Sequence, residues 1–459
     1  MKAAIIGSPV SHSLSPAIFE FISLDQGINI DYSAIEVQPE NAGPFLKNLA
    51  TSDEYVGMNV TLPLKEIMLT HMDDLSPAAR IMGALNVVQI YKQKTTGHNT
   101  DVTGIEKTLN RLKFSVEGKD CLLWGAGGSA KAVAFVLGKL KARHVYVFNR
   151  GARGLELAKT FSKHFPETKY QSLSSLDEIK DKPISLMVNS TSLGMQGQES
   201  GLEYFSPLRG LTFTPEAVAF DLIYVPEATD FLKVSASQGL KTVGGIGMLI
   251  DQALATWEIW MAPLKEEEKL HQRLITFLKG ILTLRYDPRP VFLTGFMGVG
   301  KSTIAEQLGL LTKREVIDTD KVIEEVARET VPQIFARGEP EFRLKEKEAI
   351  DRVSLKTQSI ISLGGGALGD PQNLKTIEES GRLVYLVASA ATLEKRITEQ
   401  GISRPLLENL SGAEKLQKIT ELLSDRKSSY ERASIIVNTE HTSPVQVCFE
   451  IVSKIGELA

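Results

Sequence analysis

Two glycine-rich turns constrain the fold of this chain more than any other feature. The first is GAGGSA at 125–130, and the second is GFMGVGKS at 295–302, about 170 residues later. Each turn follows a short apolar run and precedes a stretch with helical spacing, which is typical of strand–turn–helix units in parallel α/β layers. The N–H groups of such a turn and the start of the next helix hold phosphate groups. The sequence therefore predicts two nucleotide sites in two α/β modules.

The composition favours a protein that acts on small molecules. A chain of 459 residues is long enough for several domains, and 42% apolar with 24% charged residues is typical of globular proteins. The formal net charge is −4, which gives no general basic surface for nucleic acid or membrane. We therefore expect small-molecule substrates and neither a nucleic-acid nor a membrane partner.

The cysteines and the first residues of the chain indicate where in the cell the protein is expected. Cys121 and Cys448 stand in apolar runs, which favours two buried thiols over a disulfide framework or a metal site. The opening MKAAIIGSPVSHS has too short an apolar run for a signal peptide, and no run approaches the length of about 18 residues that spans a membrane. These features predict a cytoplasmic protein.

The first turn matches a dinucleotide-binding pattern. Gly125, Gly127 and Ala130 fit GxGxx(G/A), although this pattern alone also fits a turn that only packs a helix on a strand. The next apolar strand ends at Asn149 and Arg150, where NAD enzymes place a carboxylate for the ribose 2′-hydroxyl. Because a guanidinium suits a 2′-phosphate, NADP is favoured over NAD.

Polar residues gather near glycine and proline before and around this turn. Taken singly, such residues are usually turn formers or solvated side chains. Taken together, their hydroxyls, amides, one ammonium and one carboxylate would line a pocket for a small polyhydroxylated acid. They are Ser13, Ser15, Asn59, Thr61, Lys65, Asn86, Asn99 and Asp101.

The second turn is a complete GxxxxGK[ST] pattern after the apolar run VFL. Lys301 would neutralise β and γ phosphates, and Ser302 would ligate Mg²⁺. Asp318 and Asp320 follow the next apolar run, and several arginines occur further on. Without the glycine-rich turn, these charges would be interpreted as surface ion pairs.

Eight ordered motifs carry a family resemblance over residues 1 to about 262. They are GSPVSHSLSP, NVTLPLK, GALN, NTD, GAGGSAKA, NSTSLGM, DLIYVPEATDFL and GIGMLIDQA, and they resemble shikimate dehydrogenase. The resemblance implies an α/β fold with a split substrate domain at 1–102 and 240–262 around a Rossmann NADP domain at 103–239. It also implies NADPH-dependent reduction of 3-dehydroshikimate to shikimate.

The same resemblance implies roles for individual residues. Lys65 and Asp101 would be the catalytic pair, since the alkoxide left by hydride transfer needs a proton from a positioned acid. Substrate contacts are implied for Ser13, Ser15, Thr61, Asn86, Asp101, Tyr224 and Gln252. Cofactor contacts are implied for Gly125, Ala126, Gly127, Gly128, Ser129, Ala130, Asn149, Arg150, Arg153 and Gly245. The phosphate-clamp segment reads NRGARG, so Arg153 is displaced by one residue from the family pattern.

Residues 288–459 resemble shikimate kinase through GFMGVGKS, IDTD, GEPEFRLKE, the glycines after IISL, RPLL and DRKSSYERAS. This implies a P-loop, NMP-kinase-like parallel α/β domain that phosphorylates shikimate to shikimate 3-phosphate with ATP and Mg²⁺. Lys301 and Asp320 would be catalytic. Shikimate contacts are implied for Asp320, Arg343, Gly365 and Arg426. ATP contacts are implied for Gly298, Val299, Gly300, Lys301, Ser302, Thr303 and Arg404, and Mg²⁺ contacts for Ser302 and Asp318.

A connecting helix is predicted at 263–287, between the two modules. Its apolar residues fall on one stripe, which comprises Leu270, Leu274, Phe277, Leu278 and Ile281. The stripe would pack on the first module, or it would form an interdomain contact or a homodimer contact.

The two resemblances together predict a bifunctional enzyme of aromatic amino-acid (shikimate/chorismate) biosynthesis. One alternative is a catalytically inactive regulator that senses quinate or shikimate, but such a protein has no need to keep Lys65, Asp101 and Lys301 together. Another is an NAD-linked quinate dehydrogenase in the first module, but Arg150 favours NADP over NAD.

Overall fold

The computed structural model describes residues 1–400, 407 and 410–459. The chain divides into two compact units, Met1–Ile275 and Thr276–Ala459. The division falls inside one helix, α11, at Glu267–Tyr286. The apolar stripe predicted for this helix is confirmed, because its five residues are almost completely buried. The domain bounds given above, with 263–287 as a linker, stay a prediction.

The first unit begins with a mixed sheet of six strands. They are β1 Lys2–Gly7, β2 Asp31–Glu36, β3 Tyr55–Val60, β4 Asp74–Leu75, β5 Val87–Tyr91 and β6 Lys94–His98. Their order is β2-β1-β3-β5-β6-β4, with β1 parallel to both neighbours and β5 antiparallel to β3 and β6. The accompanying helices are α1 Ser15–Gln26, α2 Ala42–Ala50, α3 Leu64–Ile67, α4 Pro77–Met82 and α5 Asp101–Arg111.

A second sheet of six parallel strands follows in the same unit. They are β7 Asp120–Trp124, β8 His144–Phe148, β9 Lys169–Leu173, β10 Pro183–Asn189, β11 Thr212–Asp221 and β12 Lys241–Val243, in the order β12-β11-β10-β7-β8-β9. The helices are α6 Gly128–Lys139, α7 Arg153–His164, α8 Leu202–Phe205, α9 Asp230–Ala236 and α10 Ile246–Trp260. This strand order confirms the Rossmann module, whose ligand crevice lies where the order reverses, between β7 and β10.

The second unit is built on a parallel sheet whose described strands are β13 Val291–Thr294, β14 Glu315–Asp318, β15 Ser359–Ser362, β16 Arg382–Val387 and β17 Ile435–Asn438. Their order is β14-β15-β13-β16-β17. The helices are α12 Lys301–Thr312, α13 Thr319–Ala327, α14 Val331–Phe335, α15 Glu339–Ser354, α16 Pro371–Ser380, α17 Ala390–Gln400, α18 Gly412–Tyr430 and α19 Pro444–Glu457. All four residues of the central strand β13 are buried, as expected for a parallel sheet covered on both faces.

Short 3₁₀ turns occur at Pro39–Asn41, Met68–His71, Leu176–Ile179, Ser206–Gly210 and Ala367–Gly369. Both cysteines, Cys121 and Cys448, are buried free thiols, as the sequence predicts. Within the described ranges, none of the helices has the length and apolar character needed to cross a membrane.

Candidate active sites

Lys65 and Asp101 form an ion pair in the first unit. Lys65 lies in α3 and Asp101 is the first residue of α5, and the distance from Nζ to Oδ2 is 2.7 Å. The side chains are only 15% and 10% exposed, which strengthens the attraction relative to a surface pair. The other carboxylate oxygen of Asp101 accepts a hydrogen bond of 2.9 Å from Asn86 Nδ2. Both oxygens are therefore held, and the ammonium is fixed beside them.

A buried amide and hydroxyl network surrounds this pair. Asn86 Oδ1 accepts from the backbone N–H of Thr100 at 2.7 Å, and Asn86 Nδ2 lies 3.4 Å from Gln252 Oε1. The hydroxyls of Thr100 and Thr256 are 3.2 Å apart. Asn86 and Gln252 are predicted site residues, whereas Thr100 and Thr256 are not. Thr256 stands one helical turn after Gln252 on α10, and this spacing is the signal that could have found it.

A second set of polar groups lies near the start of the chain. The hydroxyl of Tyr32 donates to Asn59 Oδ1 at 2.8 Å, and Ser13 Oγ accepts from the backbone N–H of Ser15 at 3.1 Å. Burial raises the pKa of Tyr32 well above its usual range, so the phenol keeps its proton. Thr61 follows β3, and its N–H donates to the carbonyl of Ile6 on β1. The sequence gives no specific signal for Tyr32.

The dinucleotide loop begins directly after β7. Gly125 has φ +115°, and a side chain there would collide with Ser190, so both the conformation and the space require glycine. Helix α6 starts at Gly128, and a Cβ on this residue would lie 3.9 Å from the side chain of Lys65. The helix start that suits a pyrophosphate therefore lies beside the catalytic candidate.

A cavity of about 410 Å³ opens at the carboxyl ends of β7, β8 and β10. Its lining comprises Trp124, Gly125, Phe148, Asn149, Arg150, Thr191, Ser192, Leu193, Gln198, Glu199, Tyr204 and Pro207. The guanidinium and amide at the end of β8 give it the donors that a ribose 2′-phosphate needs. The residues present thus fit NADP. Arg153 begins α7 and is exposed. Because Arg150 lines the cavity and Arg153 does not, Arg150 is the better candidate for a contact with the 2′-phosphate.

Tyr224 and Gly245 lie beyond the end of β11 in the same unit. The backbone N–H of Gly245 donates to the carbonyl of Ile223 at 3.0 Å, which fixes the start of α10 next to the segment that carries Tyr224. A side chain at Gly245 would collide with the carbonyl of Leu222. The predicted cofactor residue Gly245 and the predicted substrate residue Tyr224 are thus neighbours.

In the second unit, the loop between β13 and α12 has the geometry of a phosphate nest. Gly298 and Gly300 have φ of +80° and +101°, which other residues rarely adopt. Lys301 Nζ donates to the carbonyls of Gly295 at 2.8 Å and Phe296 at 3.2 Å, so the lysine side chain folds back onto the loop.

Ser302 and Asp318 bring two side-chain oxygens together in the second unit. Ser302 Oγ donates to Asp318 Oδ2 at 3.2 Å. Two oxygen ligands beside a phosphate nest fit Mg²⁺, which usually takes few protein ligands together with phosphate and water. Within the described ranges, no group of three or more His, Cys, Asp and Glu side chains forms a separate metal cluster.

A glycine strip after β15, Gly364–Gly366, gathers the predicted acceptor-site groups. A Cβ on Gly364 would lie 3.3 Å from Asp320 Oδ1, and one on Gly366 would lie 3.0 Å from the guanidinium carbon of Arg343. Arg426 Nη1 donates to the carbonyl of Gly365 at 2.7 Å. The structure therefore brings Asp320, Arg343, Gly365 and Arg426 to one place. Arg404 lies outside the described residues.

Arg343 is already ion-paired in this arrangement. Its guanidinium lies 2.8 Å from the exposed Glu339 and 2.6 Å from Glu346, whose side chain is only 1% exposed. Burial raises the pKa of Glu346, and Arg343 opposes that shift. Neither glutamate is predicted from the sequence, although both stand three or four residues from Arg343 on helix α15.

The fold and the two sites define a dinucleotide-binding oxidoreductase unit joined to a P-loop phosphotransferase unit. Comparison with known families agrees with this class. Residues 5–88 match the shikimate dehydrogenase substrate binding domain, and residues 297–456 match shikimate kinase. A shikimate dehydrogenase (NADP(+)) from Brucella ovis is 38% identical over 261 residues, which cover 56% of this chain and 88% of that protein.

Solved structures are similar over the same share of the chain. Shikimate 5-dehydrogenase from Thermus thermophilus, in complex with NADP(H) and shikimate, is 32% identical with a TM-score of 0.51, covering 59% of this chain and 97% of that one. The enzyme from Listeria monocytogenes, in complex with shikimate and NAD, is 26% identical with a TM-score of 0.55, covering 60% and 96%. The chain belongs to the shikimate dehydrogenase family and carries a shikimate kinase domain after it.

Proposed function

We propose that this chain carries out two successive reactions of the shikimate pathway. The first unit reduces 3-dehydroshikimate to shikimate with NADPH, and the second phosphorylates shikimate to shikimate 3-phosphate with ATP and Mg²⁺. The observation that carries the proposal is the buried pair of Lys65 and Asp101 beside the start of α6. A separate phosphate nest with Lys301 lies in the second unit.

In the first reaction, the chain's own residues manage the proton and the substrate. NADPH supplies a hydride to the carbonyl carbon when it is bound. Lys65 Nζ donates a proton to the carbonyl oxygen and stabilises the charge that develops there. Asp101 keeps the ammonium in position, and Asn86 holds Asp101. The remaining substrate hydroxyls and carboxylate bind to the polar residues of the pocket, which are Ser13, Ser15, Thr61, Asn86, Tyr224 and Gln252.

In the second reaction, positioning and charge stabilisation are the main tasks. Arg343 and Arg426 bind the substrate carboxylate, for which planar guanidinium groups are well suited. Asp320 accepts the proton of the attacking hydroxyl. Lys301 neutralises charge on the β and γ phosphates, while Ser302 and Asp318 hold Mg²⁺.

The order of the two reactions follows from the chemistry of the substrate. The ketone that the first unit reduces is the position whose hydroxyl the second unit phosphorylates. A ketone has no hydroxyl to attack a phosphorus atom, so phosphorylation has to follow reduction. A homodimer and a cytoplasmic location stay predictions from the sequence.

The first test is an assay of the purified chain with NADP and NAD, each with shikimate and with quinate. We expect oxidation of shikimate with NADP to exceed the other three rates. A preference for quinate with NAD would replace the proposal for the first unit. Absence of both oxidation and ATP-dependent phosphorylation of shikimate would favour a regulator that only binds these compounds.

A further inference from the structure

Asp221 is a completely buried carboxylate that the mechanism above does not use. It ends β11, and none of its surface is exposed. Three neutral groups donate to it: Asn189 Nδ2 and the N–H of Ile223, each at 3.0 Å from Oδ1, and Thr229 Oγ1 at 2.6 Å from Oδ2. Burial raises the pKa of Asp221 to about 6, and these hydrogen bonds oppose the shift. A buried carboxylate that relies on neutral donors costs stability, so its position calls for a reason.

The first of these bonds leads to the cofactor cavity. Asn189 ends β10, and its Oδ1 accepts from the N–H of Thr191 at 3.1 Å and from the hydroxyl of Thr191 at 2.8 Å. The hydroxyl of Thr191 in turn accepts from the N–H of Leu193 at 3.2 Å. Residues 191–193 form one wall of the cavity that also contains Arg150. Asp221 thus holds the residue that shapes this wall.

The second bond leads to the loop after β11, the strand next to β10. The N–H of Ile223 donates to Asp221, and the carbonyl of Ile223 accepts from the N–H of Gly245 at 3.0 Å. Tyr224, a proposed substrate residue, is the next residue along the chain. One carboxylate therefore sets both the loop after β10 and the loop after β11.

The third bond anchors Asp221 itself. Thr229 is completely buried, and its hydroxyl donates to Asp221. The same hydroxyl oxygen accepts from the N–H of Leu232, so Thr229 also caps α9. Serine at this position would keep both bonds, whereas valine has nearly the same shape and would lose both. A substitution at position 229 can therefore remove one hydrogen bond to Asp221 with little change in side-chain shape.

We propose that Asp221 is a positioning residue of the reductase reaction, which holds residues 191–193 in the shape that NADPH binding requires and fixes the segment that carries Tyr224. The inference rests on the proposed dehydrogenase function. It is distinct from a purely structural role because one of the two loops held by this carboxylate lines the cofactor cavity and the other carries Tyr224.

The test compares Thr229→Val with Thr229→Ser in the full-length chain. We expect valine to raise the KM for NADPH and the Kd for NADP⁺ by about five- to tenfold, the size of one ordinary hydrogen bond, because the lost bond acts on the cofactor only through the loop. Serine should change both by less than about twofold. Ser76→Ala, which removes the N-cap of α4 in the same unit, is the matched control and should leave the KM for NADPH unchanged. Circular dichroism and kcat for 3-dehydroshikimate at saturating NADPH report that the first unit of each variant chain is folded.

Asp221→Asn gives a second, independent variant. Its amide cannot accept the same three hydrogen bonds, so we expect the KM for NADPH to rise at least as much as in Thr229→Val. The inference is overturned if valine leaves cofactor affinity within twofold of wild type, if serine is as damaging as valine, or if Ser76→Ala has the same effect. A wild-type chain that neither binds NADP⁺ nor reduces 3-dehydroshikimate would defeat the proposed function as well.

Discussion

Lys65 Nζ lies 2.7 Å from Asp101 Oδ2 although 36 residues separate the two in the chain. The pairing depends on the sheet, because Lys65 follows β3 and Asp101 follows β6, and β5 joins these two strands. Asn86, which immediately precedes β5, donates to the other oxygen of Asp101. The proposed catalytic pair is therefore positioned by three adjacent strands of the first sheet.

Lys65→Ala should abolish reduction while leaving phosphorylation intact. Removing a general acid that also stabilises the developing charge should lower kcat for 3-dehydroshikimate by about 10²- to 10⁴-fold. Stopped-flow or steady-state loss of NADPH absorbance measures this. Lys119→Ala, which removes a lysine paired with Glu216 at the surface, is the control and should stay near wild type. Equal loss of kinase activity in Lys65→Ala would mean that the two reactions are not independent.

Lys301→Ala should have the opposite effect. Without the ammonium that neutralises the phosphates, ADP formation from ATP and shikimate should fall by at least about 100-fold. Reduction of 3-dehydroshikimate by the same protein should remain near wild type. Lys395→Ala removes an exposed lysine of α17 and should change neither rate. If Lys301→Ala kept its kinase activity, the phosphate nest assigned to the second unit would be wrong.

Arg150→Ala should reduce selectivity for NADP over NAD. Loss of a charged hydrogen bond to the 2′-phosphate should raise the KM for NADPH by about 10- to 100-fold and leave that for NADH almost unchanged. Arg153→Ala should have a smaller effect, since Arg150 lines the cavity whereas Arg153 is exposed at the start of α7. An equal loss with both nicotinamide cofactors would show that Arg150 does not read the 2′-phosphate.

Asp287→Asn should lower the stability of the second unit in a pH-dependent way. Asp287 accepts from Arg289 Nη2 at 2.7 Å and from Arg382 Nη2 at 2.9 Å. Hydrogen bonds from Arg289 hold the pKa of Asp287 well below its usual range, and a hydrogen bond from Arg382 adds to this effect. Burial acts in the opposite direction but is outweighed. A folded-state pKa below the unfolded one stabilises the fold above about pH 4, and this contribution is lost as the pH falls further.

Differential scanning calorimetry of the full-length chain checks this effect. We expect Asp287→Asn to lower the unfolding midpoint by a few degrees at pH 7, with the difference shrinking towards pH 2. Glu379→Gln is the control, because Glu379 pairs with Lys375 at 3.8 Å on an exposed surface and should change little at any pH. A destabilisation by Asp287→Asn that is the same at pH 7 and pH 2 would contradict the assignment.

The sequence was most informative where a motif combines turn chemistry with a fixed neighbour. Gly125 and Gly300 stand in conformations that require glycine, so the two loops could be placed from spacing alone. Lys65 and Asp101 stand in short polar motifs, and the family resemblance singled them out as a catalytic pair. The strand order between these motifs is a property of the folded sheets and was available only through the family resemblance.

The supporting residues were harder to anticipate. Tyr32 and Glu346 reach the sites through long-range packing or a helix turn, and nothing in their local sequence separates them from ordinary core or surface residues. Asp221 stands in a motif that was recognised, but its contact with Asn189 depends on two adjacent parallel strands, and its contact with Thr229 depends on the loop that leads into α9. Sequence patterns therefore indicated the proposed ligand-binding groups better than the residues that support them.

The most direct measurement supplies 3-dehydroshikimate as the sole acceptor and follows ADP formation by the purified chain. With ATP, Mg²⁺ and NADPH present, we expect ADP and shikimate 3-phosphate to appear in equal amounts, and with NADPH omitted we expect neither. ADP formation at the same rate without NADPH, or shikimate that accumulates with ATP present and is never phosphorylated, would contradict the claim that one chain makes the alcohol and then phosphorylates it.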